Sequence, residues 1–427
     1  MTTAVVDRPD IGSFEPRPAP RRRGACPSLH HPMQTGDGLL VRLTPARAGL
    51  PSAIVRELAK LAERHGNGLL EVSTRGNWQI RGLTSESTAA LSSEIEGVLD
   101  QFRFGLTLDA NPFTAAGSDS ARLVAAIEEM SEHPNLKQRL APKFSIVVDD
   151  GGCIDLAGVI ADIRLRWAAS DRWAIVLGDN EESGRLLGYV RPADGCAAVS
   201  ALAEAIAEIG PNARGRDLSL PRAQIATTAA ASSFESGADP IPERAMTIHV
   251  GHIRLQDESL AVLSPAYGMM HASSLNAIID AIDEIAGARQ IRLCTTAGRL
   301  ISVRGLDDHH IERLLTHEAA RDFITKDDDP RLSIAACAGH PACDCAHFDT
   351  HAAADRLVER GLLPHDGSTV HLSGCEKECA RPAHAAVHLI GRPNGIDAFD
   401  DHGSSLGHFT EPEDAVVSTL PSAGGIA

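Results

Sequence analysis

A segment near the start of the chain returns in its second half. GLLEVSTRGNWQIRGL at 68–83 is echoed by RQIRLCTTAGRLISVRGL at 289–306, and both end on Arg-Gly-Leu, at 81–83 and 304–306. The surrounding elements repeat in the same order. Gly38 to Leu43 reads as a strand, and residues 51–65 carry Ile54, Leu58 and Leu61 at helical spacing. Gly66-Asn67-Gly68 stops that helix. Strands at Leu69 to Val72 and Trp78 to Arg81 then flank a turn at Thr74 to Asn77, and a second helix is predicted at 85–101. In the second half the strands fall at Met246 to Leu255 and Leu260 to Leu263, with a helix at 272–286. Strands at Gln290 to Thr295 and Arg299 to Arg304 and a helix at 307–319 complete it. This is a duplicated ferredoxin-like unit, which requires two equivalent bodies in one chain.

Each repeat is followed by a different segment. The predicted division is a flexible lead at 1–24, repeat one at 25–104 and an α/β segment at 105–235, with strands at Phe144 to Val148 and Trp173 to Leu177. A Ser/Ala-rich linker falls at 226–240, repeat two at 241–325, and a cysteine-bearing segment with its tail at 331–427. The lead holds Arg21-Arg22-Arg23, which reads as a solvated tail.

Five of the nine cysteines fall between 337 and 379. Clustering in a long chain without a secretory h-region suits a metal site in a reducing cytoplasm rather than a disulfide scaffold. The spacing is Cys337-x5-Cys343, then Cys375-x3-Cys379. Two separated pairs of soft thiolates can converge on a [4Fe–4S] cubane. Zinc is the rival, although Cys-x5-Cys is wider than the pairs that structural zinc uses. Cys345 can replace Cys343 in the set. Three residues between Cys375 and Cys379 would put them on one face of a helical turn.

Charge limits the partners. The net charge of -17 argues against nucleic-acid binding but leaves room for a local basic pocket. No apolar run is long enough to span a membrane.

The cysteine spacing resembles the cluster motif of the sulfite and nitrite reductase hemoprotein family. Two further segments agree. Thr74-Arg75-Gly76-Asn77-Trp78-Gln79-Ile80 resembles the family's Thr-Arg-x-Asn-x-Gln-Leu segment, whose Arg faces the macrocycle. Leu140-Ala141-Pro142-Lys143-Phe144 resembles its Leu-Pro-x-Lys-Phe segment, whose Lys meets macrocycle carboxylates or a bound anion. The resemblance spans residues 25–395. It implies an α+β fold of duplicated sulfite-reductase-like architecture, with two ferredoxin-like half-domains each followed by an α/β segment.

Within the family, GACPSLHHPMQTGDGLLVRL at 24–43 and LSPAYGMM at 263–270 resemble the branch that hydroxylates precorrin-3A in aerobic cobalamin biosynthesis. That branch is a monooxygenase. It uses O2 and reducing equivalents, forms a lactone from an acetate arm, and is described as carrying a [4Fe–4S] cluster and a mononuclear non-haem iron. The alternative is a siroheme-dependent sulfite or nitrite reductase, in which Cys379 would bridge cluster and siroheme iron. Reductases carry small residues between the last two cysteines, whereas this chain has Glu376-Lys377-Glu378. They also carry an Arg that is missing from Leu106 to Pro112 here. Both departures favour a tetrapyrrole substrate over a resident siroheme. A cluster-bearing electron carrier is the non-enzyme reading, and Arg75 and Lys143 argue against it.

A precorrin is edged with acetates and propionates, so its site needs Arg and Lys in a cleft. Arg42, Arg75, Arg81 and Lys143 are the candidates: Arg75 and Lys143 rest on the matched segments, while Arg42 and Arg81 rest on strand neighbourhood and equally suit surface ion pairs. Trp78 packs under the ring or sits in the core. Mononuclear iron that activates O2 commonly takes two His and a carboxylate. Histidines crowd the cysteine segment at His340, His347, His351, His365, His371, His384 and His388. His347-x-Asp349 is the nearest local echo of such a set, and His30-His31 is the other option. No Gly-x-Gly-x-x-Gly appears, so electrons from NADH are expected through a separate donor.

Overall fold

The computed structural model describes residues 27–420 apart from 30, 170, 238–246, 248, 365 and 383. The Arg21-Arg22-Arg23 lead, His30, His365 and the start of the predicted strand at Met246 lie outside the described residues. Described residues up to Asp329 form one compact unit, and those from Pro330 a second.

The first unit holds both repeats, and each repeat completes its sheet with a strand from the other. One sheet runs Met33–Thr35, Gly38–Pro45, Trp78–Leu83, Leu69–Val72, then Met269–His271 from the second repeat. The other runs Gly251–Arg254, Ser259–Pro265, Leu300–Arg304, Arg292–Thr296, then Leu50–Pro51 from the first repeat. The helices Ser52–His65 and Ala272–Ala286 each follow directly on a donated strand. Their apolar stripes bury Leu58 and Leu61 on one and Leu275, Ile278 and Ile282 on the other. These join Leu70, Trp78, Ile80, Leu293 and Val303 in a single core. Trp78 is fully buried there, which is the core reading of that residue.

Some predicted elements end early. The helix expected over 85–101 is Ser85–Ile95, opened by a reciprocal Thr84/Ser87 cap, and it tightens into a 3-10 turn over Glu96–Gln101. The helix expected over 307–319 is Asp308–Leu315, with a separate 3-10 turn at Glu318–Asp322. Part of the expected linker is ordered, because the Ala-rich helix Leu220–Ala230 runs into it.

The duplication extends to the segments behind the repeats. Thr107–Ala110, Ser145–Asp149, Ile163–Ala169, Arg172–Leu177 and Arg185–Val190 form a sheet in chain order, the first three parallel and the rest antiparallel. In the second unit Ile334–Ala336, Val370–Ser373, Val387–Arg392, Gly395–Phe399 and Ser405–Phe409 repeat that order and those directions. Among the described residues, no helix is long and apolar enough to cross a membrane.

Candidate functional site

The clustered cysteines lie at the C-terminal ends of two parallel strands. Ile334–Ala336 delivers Cys337, and its neighbour Val370–Ser373 delivers Gly374 and Cys375. Parallel neighbours end on the same side, so both turns meet at one edge. The Cys337 N–H donates to the Leu372 carbonyl at 3.2 Å, and the Gly374 N–H donates to Cys337 Sγ at 3.2 Å. The His347 N–H donates to the Gly374 carbonyl at 2.8 Å, which ties the two turns together. Thr350, at the start of the helix Thr350–Glu359, donates its hydroxyl to the Cys337 carbonyl at 2.7 Å.

None of the eight described cysteines is in a disulfide. Burial pushes the Cys375 thiol up, and the nearby sulfurs of Cys337 and Cys345 push the same way. Lys377 donates to Cys345 Sγ at 3.2 Å, and that bond, with the charges of Cys345, Cys375 and Cys379, holds its ammonium above the ordinary lysine range. Cys343 sits in the same turn as Cys345, where its carbonyl accepts the Ala346 N–H at 2.9 Å. The donor set is all sulfur, and Cys337 already accepts a backbone N–H of the kind that tunes cluster thiolates. These residues fit an iron–sulfur cluster. Cys375 to Cys379 do not form the expected helical turn. The chain reverses there, with Glu378 in the left-handed region at φ 46°.

Beside this edge a second set of donors converges. Val370–Ser373 and Val387–Arg392 are parallel neighbours in a register that places His371 opposite His388. Both histidines are fully buried, with Nδ1 atoms 3.0 Å apart. Glu378, only 7% exposed, joins them, and one ligand atom from each of the three lies within 4.8 Å of the others. His388 turns its Nε2 toward Asp401 Oδ1 at 3.4 Å, and His384 Nδ1 meets Asp401 Oδ2 at 2.9 Å. The expected His347/Asp349 echo is not this set, since the Asp349 carboxylate caps the helix at the Ala352 N–H instead. A sequence signal did exist. Val-His-Leu-Ser-Gly at 370–374 and Val-His-Leu-Ile-Gly at 387–391 mark two strands that place His alike.

In the first unit a cleft gathers three arginines. Arg47, Arg75 and Arg103 line it with Asp109, Cys294 and Thr295. Arg75 pairs with the Asp109 carboxylate and donates to the Ile160 carbonyl. Glu128 bridges Arg47 at 2.8 Å and Arg103 at 3.1 Å. Burial pulls Arg47 down to about 10, and the Arg103 charge adds to that. Three guanidiniums face two carboxylates, so the cleft favours an anion.

Comparison with known proteins bears on what such an arrangement serves. Residues 31–98 match the nitrite/sulfite reductase ferredoxin-like half domain. The fold resembles that of the Mycobacterium tuberculosis NirA protein, with a TM-score of 0.64 and 17% identity, over 87% of this chain and 76% of that one. A precorrin-3B synthase from Sinorhizobium sp is 35% identical over 385 residues, which is 88% of this chain and 82% of the relative. The chain belongs to the precorrin-3B synthase family, within the sulfite and nitrite reductase hemoproteins.

In this precorrin-3B synthase relative, the cleft is lined by one of the four basic residues singled out from sequence, and the others have their own surroundings. Arg75 lies in the cleft. Arg81 is buried between Asp37, which takes Nε at 2.8 Å, and Glu71, which takes Nη1 at 2.7 Å. Arg42 is half-buried on Gly38–Pro45 opposite Gln79. Lys143 is half-buried in a turn whose carbonyl accepts from Arg214 Nη2 at 3.1 Å. Arg47 and Arg103 were missed because neither lies in a motif. Of the charged insert, Glu376 is exposed beside Arg392, Lys377 serves Cys345, and Glu378 is buried.

Proposed function

We propose that this chain hydroxylates precorrin-3A to precorrin-3B as an O2-dependent monooxygenase of aerobic cobalamin biosynthesis. The observation that carries the reading is the 35% identity to a precorrin-3B synthase across most of both chains. In a monooxygenase, one oxygen atom of O2 enters the macrocycle and the other leaves as water. The step consumes two electrons, delivered from NADH through a separate donor, and two protons, one from NADH and one from solvent.

The chain's own residues bind and orient. Arg75, with Arg47 and Arg103 behind it, receives an acidic arm of the macrocycle in place of part of the Asp109 contact. Arg42 and Lys143 are secondary contacts. Arg81 is committed to Asp37 and Glu71 and acts on the strand rather than on the ligand. Cys337, Cys375, Cys379 and either Cys343 or Cys345 would hold a [4Fe–4S] cluster, which supplies one-electron transfer. A mononuclear iron would supply O2 chemistry.

The test is anaerobic purification, then incubation with precorrin-3A, isotopically labelled O2 and a reductant. Transfer of one labelled oxygen into a lactone-bearing product is expected. Product without label overturns the O2-derived hydroxylation, and no product from a protein with strong haem-type absorption bands overturns the reading in favour of a siroheme reductase.

A further inference from the structure

Comparing the two halves isolates a feature that only the second contains. At the start of the parallel pair in the first half, the Asp162 N–H donates to the Ser145 carbonyl at 2.9 Å. In the second half, the Ala386 N–H donates to the Thr369 carbonyl at 2.8 Å. Aligned on these bonds, Val147 and Arg164 of the first half occupy the places of His371 and His388. Arg164 is 1% exposed and holds its own crossover loop by donating to three carbonyls. These are Leu156 at 2.9 Å, Ala157 at 3.3 Å and Val159 at 2.5 Å. So a buried cation ties that loop to the sheet.

The second half has no arginine at this place. It presents two imidazoles from the strands and a carboxylate, Glu378, from the corresponding crossover loop. Two imidazoles and a carboxyl group stand where the first half puts a guanidinium.

We propose that His371, Glu378 and His388 hold a mononuclear divalent metal ion, of the iron class, which replaces the cation that Arg164 supplies in the first half. Two cis ligands at about 2.1 Å from one octahedral ion stand about 3 Å apart, and the two Nδ1 atoms are 3.0 Å apart. Asp401 Oδ1, 3.4 Å from His388 Nε2, is placed to hold a proton on that nitrogen once a metal takes Nδ1. The left-handed backbone at Glu378, φ 46°, turns this bulky residue into a buried site, where strain of this kind collects around function. Two histidines and one carboxylate leave coordination positions open, which is the pattern of non-haem iron sites. The proposal deepens the oxygenase reading, and its test does not depend on turnover.

Full-length protein is purified anaerobically with its cluster, beside Glu378→Gln and His388→Gln. Iron is expected to exceed sulfide by one atom per chain in the parent protein. In each variant that excess falls about tenfold or more, with sulfide and cluster absorption unchanged. Equal iron and sulfide in the parent, or an excess that survives in both variants, overturns the site. Co(II) titration of cluster-loaded parent protein, freed of the extra iron by a brief chelator wash so that the cysteines stay occupied, guards against a variant that fails to fold. A saturable one-to-one endpoint with visible ligand-field bands supports the site, and the absence of an endpoint overturns it. Metal binding without precorrin turnover would sink the substrate reading and leave this one standing.

Discussion

Arg75 forms an antiparallel backbone bridge with Ala297, so the turns of the two repeated hairpins meet directly. Counting back from Arg81 and Arg304, Thr74 is equivalent to Ala297 and Arg75 to Gly298. The Gly298 N–H donates to the Thr74 carbonyl at 3.2 Å, which is the mirror contact of the same pair. An approximate two-fold axis therefore passes between the hairpins, and the candidate substrate arginine stands beside it.

That junction leaves no room at Gly76. Its φ is 71°, and a Cβ there would come within 2.7 Å of the Thr295 carbonyl and the Thr296 backbone. Gly76→Ala is expected to destabilise the repeat unit by about 2 kcal/mol or more, from left-handed strain plus a backbone clash. A chemical denaturation midpoint equal to that of the parent would contradict this.

Arg81 is a structural cation. Burial pushes the Asp37 carboxyl up, but the hydrogen bonds and charge of Arg81 outweigh it and hold it below the usual range. Arg81→Met leaves buried Asp37 without its cation and Glu71 with only Arg299 at 3.4 Å, and should cost about 3–5 kcal/mol. The sign with pH follows. A depressed folded value adds stability that is present above the unfolded value of 3.8 and lost as pH falls below it. The gap between parent and Arg81→Met should therefore narrow in acid. A constant gap from neutral pH into that range would refute the assignment.

Cys345 already takes the Lys377 ammonium, so the x5 partner Cys343 is the expected fourth ligand. Cys345→Ser should retain iron and sulfide, while Cys343→Ser should lose the cluster. The reverse result exchanges the two. Gly374→Ala should also lose it, because a Cβ there would meet the Ala346 Cβ at 2.5 Å and displace the N–H that Cys337 accepts.

Arg75→Ala should raise the KM for precorrin-3A about tenfold or more, the worth of a charge-assisted hydrogen bond. Arg75→Lys should recover only part of this, since an ammonium cannot present a planar fork. An unchanged KM in Arg75→Ala would remove Arg75 from the substrate contacts.

Elements with strong periodicity were legible. The helix Ala272–Ala286 and the strand Leu69–Val72 lie where their patterns predict. Arg81 was not legible, because its strand position says nothing of Asp37 and Glu71, which fold onto it from other segments. The same holds for Arg47 and Arg103, whose shared Glu128 comes from a helix farther along the chain. The matching Val-His-Leu segments hint that His371 and His388 hold equivalent strand positions, but the parallel register that sets them opposite each other is fixed by the crossover between strands.

By itself the sequence determined the repeat and the thiol chemistry. Both are carried by residue type and local spacing, which need no partner to be read. Tertiary structure alone decided that the repeats exchange strands Leu50–Pro51 and Met269–His271 to close each other's sheets. It also decided that Glu378 meets two histidines. Those outcomes follow from burying apolar faces and satisfying backbone hydrogen bonds across segments far apart in the chain, and no local pattern encodes them.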